Sequence, residues 1–160
     1  MSEVITRIVT PVRLEYTVTA GATQERFLEG LLEGRIIGQR APDGKLYVPP
    51  RGACPVSGEP MLDQYEDLPD VGTLTTFCII NIPFEGQALT PPYIGAAILL
   101  DGADLPIFHI IGGVPPSEAR MGMRVKAKWR KDPIPSMATI EYFEPLDEPD
   151  APFESYAEHL

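Results

Sequence analysis

Two cysteines, Cys54 and Cys78, and two histidines, His109 and His159, are the chain's whole supply of thiol and imidazole. Cys54 stands where spacing suggests chemistry. Ala41-Pro42-Asp43-Gly44-Lys45 and Cys54-Pro55-Val56-Ser57-Gly58 are placed like the two knuckles of a zinc ribbon, C-x-x-C-G followed by C-P-x-C-G. A structural zinc needs four sulfur or nitrogen donors in a tetrahedron. Ala41, Gly44 and Ser57 occupy three of the four ligand positions, and neither histidine is near in sequence. The expectation is a metal-free ribbon, with no metal ligand assigned. Pro42, Pro49, Pro50 and Pro55 stiffen it by lowering the entropy of the unfolded chain. Ile36, Ile37, Leu46, Tyr47 and Val48 supply its packing.

No other constellation supports catalysis. The chain has no G-x-S-x-G elbow, no H-E-x-x-H and no phosphate-binding loop. A Cys54–His109 nucleophilic pair lacks a third, orienting group, so Cys54 reads as a remnant of the ribbon and no catalytic residue is assigned. Cys78, in the apolar run Phe77-Cys78-Ile79-Ile80, reads as a buried small hydrophobe. His109, inside Ile107-Phe108-His109-Ile110-Ile111, reads as a core or partner-facing imidazole. His159 falls in a tail expected to be mobile.

The 160 residues suffice for a domain with a real core, and 44% of them are hydrophobic. The 18 Pro and 14 Gly are scattered, which suggests turns and short strands rather than a linker. Net charge is −10, from 23 acids and 13 bases. Glu141, Glu144, Asp147, Glu148, Asp150, Glu154 and Glu158 account for seven of the acids, and no base follows Lys131. The body is therefore nearly balanced and the acidity belongs to the end of the chain. Such a chain is poorly suited to binding phosphate backbones by counterion release. The basic run Arg120, Arg124, Lys126, Lys128, Arg130 and Lys131 reads as a solvated strand face. Two cysteines, no apolar stretch of membrane-spanning length and no signal-peptide pattern point to a reduced, cytoplasmic compartment.

Four segments are expected. Residues 1–21 form an arm with strand-like runs at Ile5–Thr10 and Leu14–Thr19, free to dock on a partner or on its own domain. Residues 22–62 hold a helix and the degenerate ribbon. The helix runs from Ala22 to Gly34, capped by Thr23, with an apolar face of Phe27, Leu28, Leu31 and Leu32. Met61–Asp70 reads as a polar connector. Residues 63–145 read as five strands: Gly72–Ile82, Tyr93–Leu100, Leu105–Ile111, Met123–Trp129 and Met137–Pro145. An Asp101-Gly102 turn links the second and third, and a helical turn over Ser117–Met121 separates the third from the fourth. That is the order of an OB-fold barrel. Residues 146–160 are an acidic tail, either disordered or ordered on a partner through Phe153 and Tyr156. The fold class is mainly β.

Several pieces in this order resemble the DUF35 family. They are FLEGLLEG (Phe27–Gly34), Gln39-Arg40, Pro49-Pro50-Arg51, Cys54-Pro55, Gly72-Thr73-Leu74, AAILLDG (Ala96–Gly102) and Met121-Gly122-Met123-Arg124-Val125. The resemblance spans about residues 22 to 145 and implies a helix, a rubredoxin-like zinc ribbon and an OB-fold. It also implies a non-catalytic accessory subunit of a thiolase-like protein: a lipid-transfer thiolase or an aldolase acting on CoA thioesters in lipid or steroid side-chain metabolism. Such subunits help form the acyl-CoA site. Acyl-CoA is then a ligand shared with a hetero-oligomeric partner. Arg40, Lys45, Tyr47 and Arg51, around the ribbon, are the expected ligand- or partner-binding residues, because guanidinium and ammonium groups suit phosphate. The alternative is a stand-alone OB module binding nucleic acid or another ligand. Against nucleic acid, the aromatics are not interleaved with bases and Trp129 stands alone among them.

Overall fold

A computed structural model of the chain describes residues 6, 7, 9, 10 and 13–160. The expected strand at Ile5–Thr10 lies partly outside the described residues. Leu14–Thr19 is not a strand; it is exposed and unpaired. Its β-branched bias has no neighbouring strand to satisfy it, and strand propensity acts through such neighbours.

Helix α1 spans Ala22–Leu32. Its N-cap is Gly21 rather than Thr23, with no side-chain cap hydrogen bond, and Gly34 ends it at φ +73. Phe27, Gly30 and Leu31 are buried while Leu32 turns outward. Gly30 is thus part of the packed face. A Cβ there would sit 2.6 Å from Ile37 Cδ1, so the glycine lets the helix lie close on the sheet.

That sheet has three antiparallel strands in the order β2-β1-β3: β1 Ile36–Arg40, β2 Leu46–Tyr47 and β3 Tyr65–Leu68. β3 corrects the reading of Met61–Asp70 as a connector. It pairs Ile36 with Leu68 and Gln39 with Tyr65. Its acids Glu66 and Asp67 do not prevent pairing because they meet Arg40 and Arg35 on the sheet's edge, at 2.7 and 2.9 Å.

The second half is a closed five-stranded barrel of β4 Val71–Ile80, β5 Tyr93–Leu100, β6 Ile107–Ile111, β7 Arg124–Trp129 and β8 Ile140–Pro145. The order is β4-β5-β6-β8-β7, with β7 returning to β4. β6 and β8 pair in parallel and the other pairs are antiparallel. This is OB topology. The turn between β6 and β7 is a 3₁₀ turn over Pro116–Glu118, with Pro115 rather than Ser117 at its cap. Leu74, Ile94, Ile98, Leu100, Val125, Ile140 and Phe143 fill the barrel, and Phe27, Leu31 and Ile36 join the same continuous core.

The tail is folded against its own barrel rather than disordered. Tyr156 is buried and meets Phe153 edge-on at 5.5 Å. Asp150 takes two hydrogen bonds from Arg120, at 2.6 and 2.8 Å, and the Ala151 N–H donates to the Gly122 carbonyl at 2.7 Å. His159 is held as well, with Nδ1 2.9 Å from the Asp104 carbonyl oxygen. The excess of acid at the chain's end is what the basic run needed: Arg124 pairs with Asp101 at 2.6 Å and reaches Glu148 at 3.5 Å.

Barrel closure depends on Gly72, which pairs with Leu100 on one side and Val125 on the other. A Cβ there would lie 2.4 Å from the Leu99 carbonyl oxygen, a backbone atom that cannot swing away. Gly72→Ala is predicted to destabilise the chain by about 3 kcal/mol. Gly52→Ala, where a Cβ would meet nothing within 4 Å, should change stability by less than about 1 kcal/mol. Urea denaturation of the two variants checks the contrast.

Candidate functional site

The two knuckles differ by one residue. In the second, the Cys54 N–H donates to the Glu59 carbonyl at 2.8 Å, the Gly58 N–H to the Cys54 carbonyl at 2.9 Å, and Gly58 takes the corner at φ +74. In the first, the Ala41 N–H donates to the Lys45 carbonyl at 2.8 Å, and the Gly44 N–H to the Ala41 carbonyl at 2.9 Å. Gly44 is the corner here, at φ +86, and the Asp43 carboxylate accepts the Lys45 N–H at 3.0 Å. Gly44 therefore corresponds to Gly58, not to a ligand. The tight Asp-Gly turn removes the second ligand position of the first knuckle altogether. Its remaining position holds Ala41, which has no donor atom.

The residues present do not fit zinc. Ala41, Tyr47 and Cys54 form a small buried cluster of their own, packed against by Met61 and by Leu105 from the barrel. Among the described residues, no group of three or more His, Cys, Asp or Glu side chains is placed to hold a metal ion. The second knuckle keeps its sulfur-binding shape: the Ser57 N–H, the Ser57 hydroxyl and the Val56 N–H favour the thiolate and lower the Cys54 pKa below its ordinary value. Burial, with Asp43 nearby, raises that of Tyr47.

The four residues expected to meet a ligand or partner divide accordingly. Tyr47 is a core residue of the ribbon, 4% exposed. Arg40 is held by Glu66 and by the Gly44 carbonyl, 2.6 Å from Nη1. Arg51 lies over the Tyr47 ring at 5.8 Å, and its own N–H donates to Gln39 Oε1 at 3.1 Å. Among the described residues, neither Lys45 nor Arg51 has a carboxylate within ion-pair distance.

The outer face of β4, β5 and β6 was not legible as a site from single residues. A bulge between Leu74 and Thr76 resets the alternation of β4 and turns Cys78 outward, correcting its reading as buried. Paired residues share a face, so Thr76, Ala97 and Phe108 form one row, and Cys78, Gly95 and Ile110 the next. Phe108 is 83% exposed. Beyond β4, Ile82 and Phe84 are 79% and 66% exposed. A shallow groove of about 320 Å³ runs over Cys78, Gly95 and Ala97 beside Phe108. A second depression of about 630 Å³ adjoins it across His109, between Leu89, Ile110, Tyr142 and Arg130. The signal in the sequence was the absence of charge: β4, β5 and β6 contain no Asp, Glu, Lys or Arg. β7, by contrast, turns Lys126 and Lys128 outward.

Cys54 and His109 are not brought together. Cys54 belongs to the ribbon cluster, whereas His109 packs edge-on against Phe143 in the barrel at 5.5 Å. Its Nε2 lies 3.4 Å from the Met137 carbonyl oxygen, and its buried Nδ1 has no partner.

A small ribbon sheet followed by a closed OB barrel defines the class of protein. The family models of the ChsH2 rubredoxin-like zinc ribbon domain and the ChsH2 C-terminal OB-fold domain match residues 28–62 and 65–130. Together they cover more than half of the chain, and it belongs to the DUF35 family. A solved "Ltp2-ChsH2(DUF35) aldolase" chain has a similar fold at TM-score 0.59 and 19% identity, over 81% of this chain and 98% of that one. A DUF35 protein of unknown function from Sulfolobus solfataricus is similar at TM-score 0.54 and 24% identity, over 67% and 78%. No curated protein matches the chain.

Burial lowers the His109 pKa from its ordinary 6.5. A lowered pKa means the neutral form stabilises the fold above the unfolded-state pKa, and this contribution is lost as pH falls through the folded-state pKa. The stability difference between wild type and His109→Leu should be constant above about pH 6.5. Below that it should shift against wild type, by at most about 1.4 kcal/mol per pH unit. Denaturation between pH 5 and 8 reads it, and a flat difference would assign the acid sensitivity elsewhere.

Proposed function

We propose that this chain is the non-catalytic DUF35 subunit of a thiolase-like enzyme acting on acyl-CoA thioesters in lipid or steroid side-chain metabolism. The observation that carries this reading is the uncharged outer face of β4, β5 and β6. An antiparallel sheet in a lone domain keeps one face packed and one face polar. Here both faces are largely apolar, with Phe108 the most exposed on the outer one, Ile110 half-buried beside it and Ile82 exposed just beyond β4. Interface cores are depleted of charge and enriched in aromatic side chains in the same way. The fold shared with the Ltp2-ChsH2 aldolase chain supports a hetero-oligomeric partner of that kind.

The reacting groups belong to the partner, and the ribbon and barrel cover or complete its acyl-CoA site. Of the four ribbon residues, Lys45 and Arg51, whose side chains have no ion-pair partner among the described residues, are the cations available to CoA phosphates. Arg40 and Tyr47 hold the ribbon in shape. Among the described residues no helix is long and apolar enough to cross a membrane. We assign the complex to a reduced, cytoplasmic compartment. Nucleic acid is disfavoured because the face an OB barrel usually offers to oligonucleotides carries no base here.

Co-expression with a thiolase-like chain, followed by size-exclusion chromatography, is expected to give one co-eluting peak. Phe108→Glu should leave stability within about 0.5 kcal/mol of wild type, since the side chain is exposed. It should weaken the complex by about a hundredfold or more. Lys126→Glu, on the outer face of β7, should have no such effect. Separate peaks for the wild-type pair, or salt-sensitive binding of a single-stranded oligonucleotide, would sink the proposal.

A further inference from the structure

The ribbon lacks the donors of a zinc site, yet its knuckles are ordered around a packed centre. We infer that the turn between β5 and β6 of the barrel takes over the metal's work, so that the ribbon is cross-linked to the barrel rather than to an ion. Three observations converge on residues 101–106. The Leu46 N–H, next to the first knuckle, donates to Asp104 Oδ2 at 2.7 Å, and the Asp104 N–H returns a bond to the Leu46 carbonyl at 3.2 Å. Leu105 then packs onto Ala41, Tyr47 and Cys54, the cluster that brings one residue from each knuckle into contact. Met61 closes that cluster from the chain beyond the second knuckle.

A zinc ion ties two knuckles together within the ribbon itself, and its binding free energy is folding free energy. The arrangement here differs in kind. Each knuckle contributes a small side chain, Ala41 or Cys54, and the Tyr47 ring is buried with them in one cluster. A buried aromatic ring supplies area that two short turns cannot. The cluster is too small to be stable alone, and Leu105 and Asp104 connect it to the barrel core. The tail strengthens the same turn, since His159 lies against the Asp104 carbonyl. Ribbon and barrel therefore form one folding unit that needs no divalent metal. Any surface the ribbon offers a partner keeps a fixed orientation to the barrel, whatever the zinc supply.

The test uses the full chain. Elemental analysis should find no stoichiometric zinc, and a chelator should leave hydrogen exchange of the Ala41, Gly44, Cys54 and Gly58 amides unchanged. Leu105→Ala and Asp104→Ala should each speed exchange at those four amides by about tenfold or more, with the Leu74 and Ala97 amides of the barrel unaffected. Asp104→Asn, which keeps an acceptor oxygen for the Leu46 N–H, should retain most of the protection. One equivalent of tightly held zinc would overturn the inference. So would knuckle protection that falls on chelation, or that survives both alanine substitutions. Because exchange is read on the isolated chain, the outcome is independent of whether a thiolase-like partner binds.

Discussion

The reciprocal pair between Asp104 and Leu46 is the polar contact that fixes the ribbon to the barrel. It joins a barrel turn to the edge of the ribbon sheet through one side-chain and one backbone bond. Both groups are partly buried, so leaving either N–H without its acceptor would cost about 1–3 kcal/mol. Leu105 enters the ribbon cluster because its neighbour is fixed. The tail settles because His159 finds the carbonyl of the same residue. Helix, ribbon and barrel thus share a junction as well as a core.

Charge is distributed to serve that packing. Arg120 and Arg124 are matched by Asp150 and Glu148 of the tail and by Asp101, and Lys128 by Glu144 on β8. Arg124 is the most enclosed of them, bonded to Asp101 and to the Thr73 hydroxyl. Its pKa is raised first by the Asp101 hydrogen bonds, so the cation is permanent and the pairing lasts across ordinary pH. With the arginines engaged in this way, the basic run is a tether for the tail. The outer faces of β4, β5 and β6 carry no charge of their own, and Arg130 and Glu141 lie at the margin, in the adjoining depression.

Much of this was legible in the sequence. The five barrel strands and the Asp-Gly turn follow from apolar patterning and turn chemistry, and the observed β5 coincides with its expected span. β3 was not legible because Tyr65-Glu66-Asp67-Leu68 looks like a solvated linker until Arg35 and Arg40 are brought beside it. The missing ligand position was hidden for a different reason. Ala-Pro-Asp-Gly-Lys has the length of a knuckle, and only the backbone shows Gly44 at the corner. Cys78 faces outward because a bulge resets its register, which composition cannot reveal. The tail's acids read as solubilising because their arginine partners lie some 30 residues away, as with Arg120 and Asp150. The apolar outer face was visible only as an absence of charge across three strands.

Closure of the barrel has a further consequence. A closed sheet leaves little free strand edge. The ribbon sheet has two edges, but β2 is only two residues long and β3 carries acids bridged to arginines. Among the described residues, edges open to backbone-to-backbone growth are therefore short, confined to the stretches of β4 and β6 beyond their pairing with β7 and β8, even though a broad apolar surface is exposed. What meets that surface must approach it face-on, through side chains.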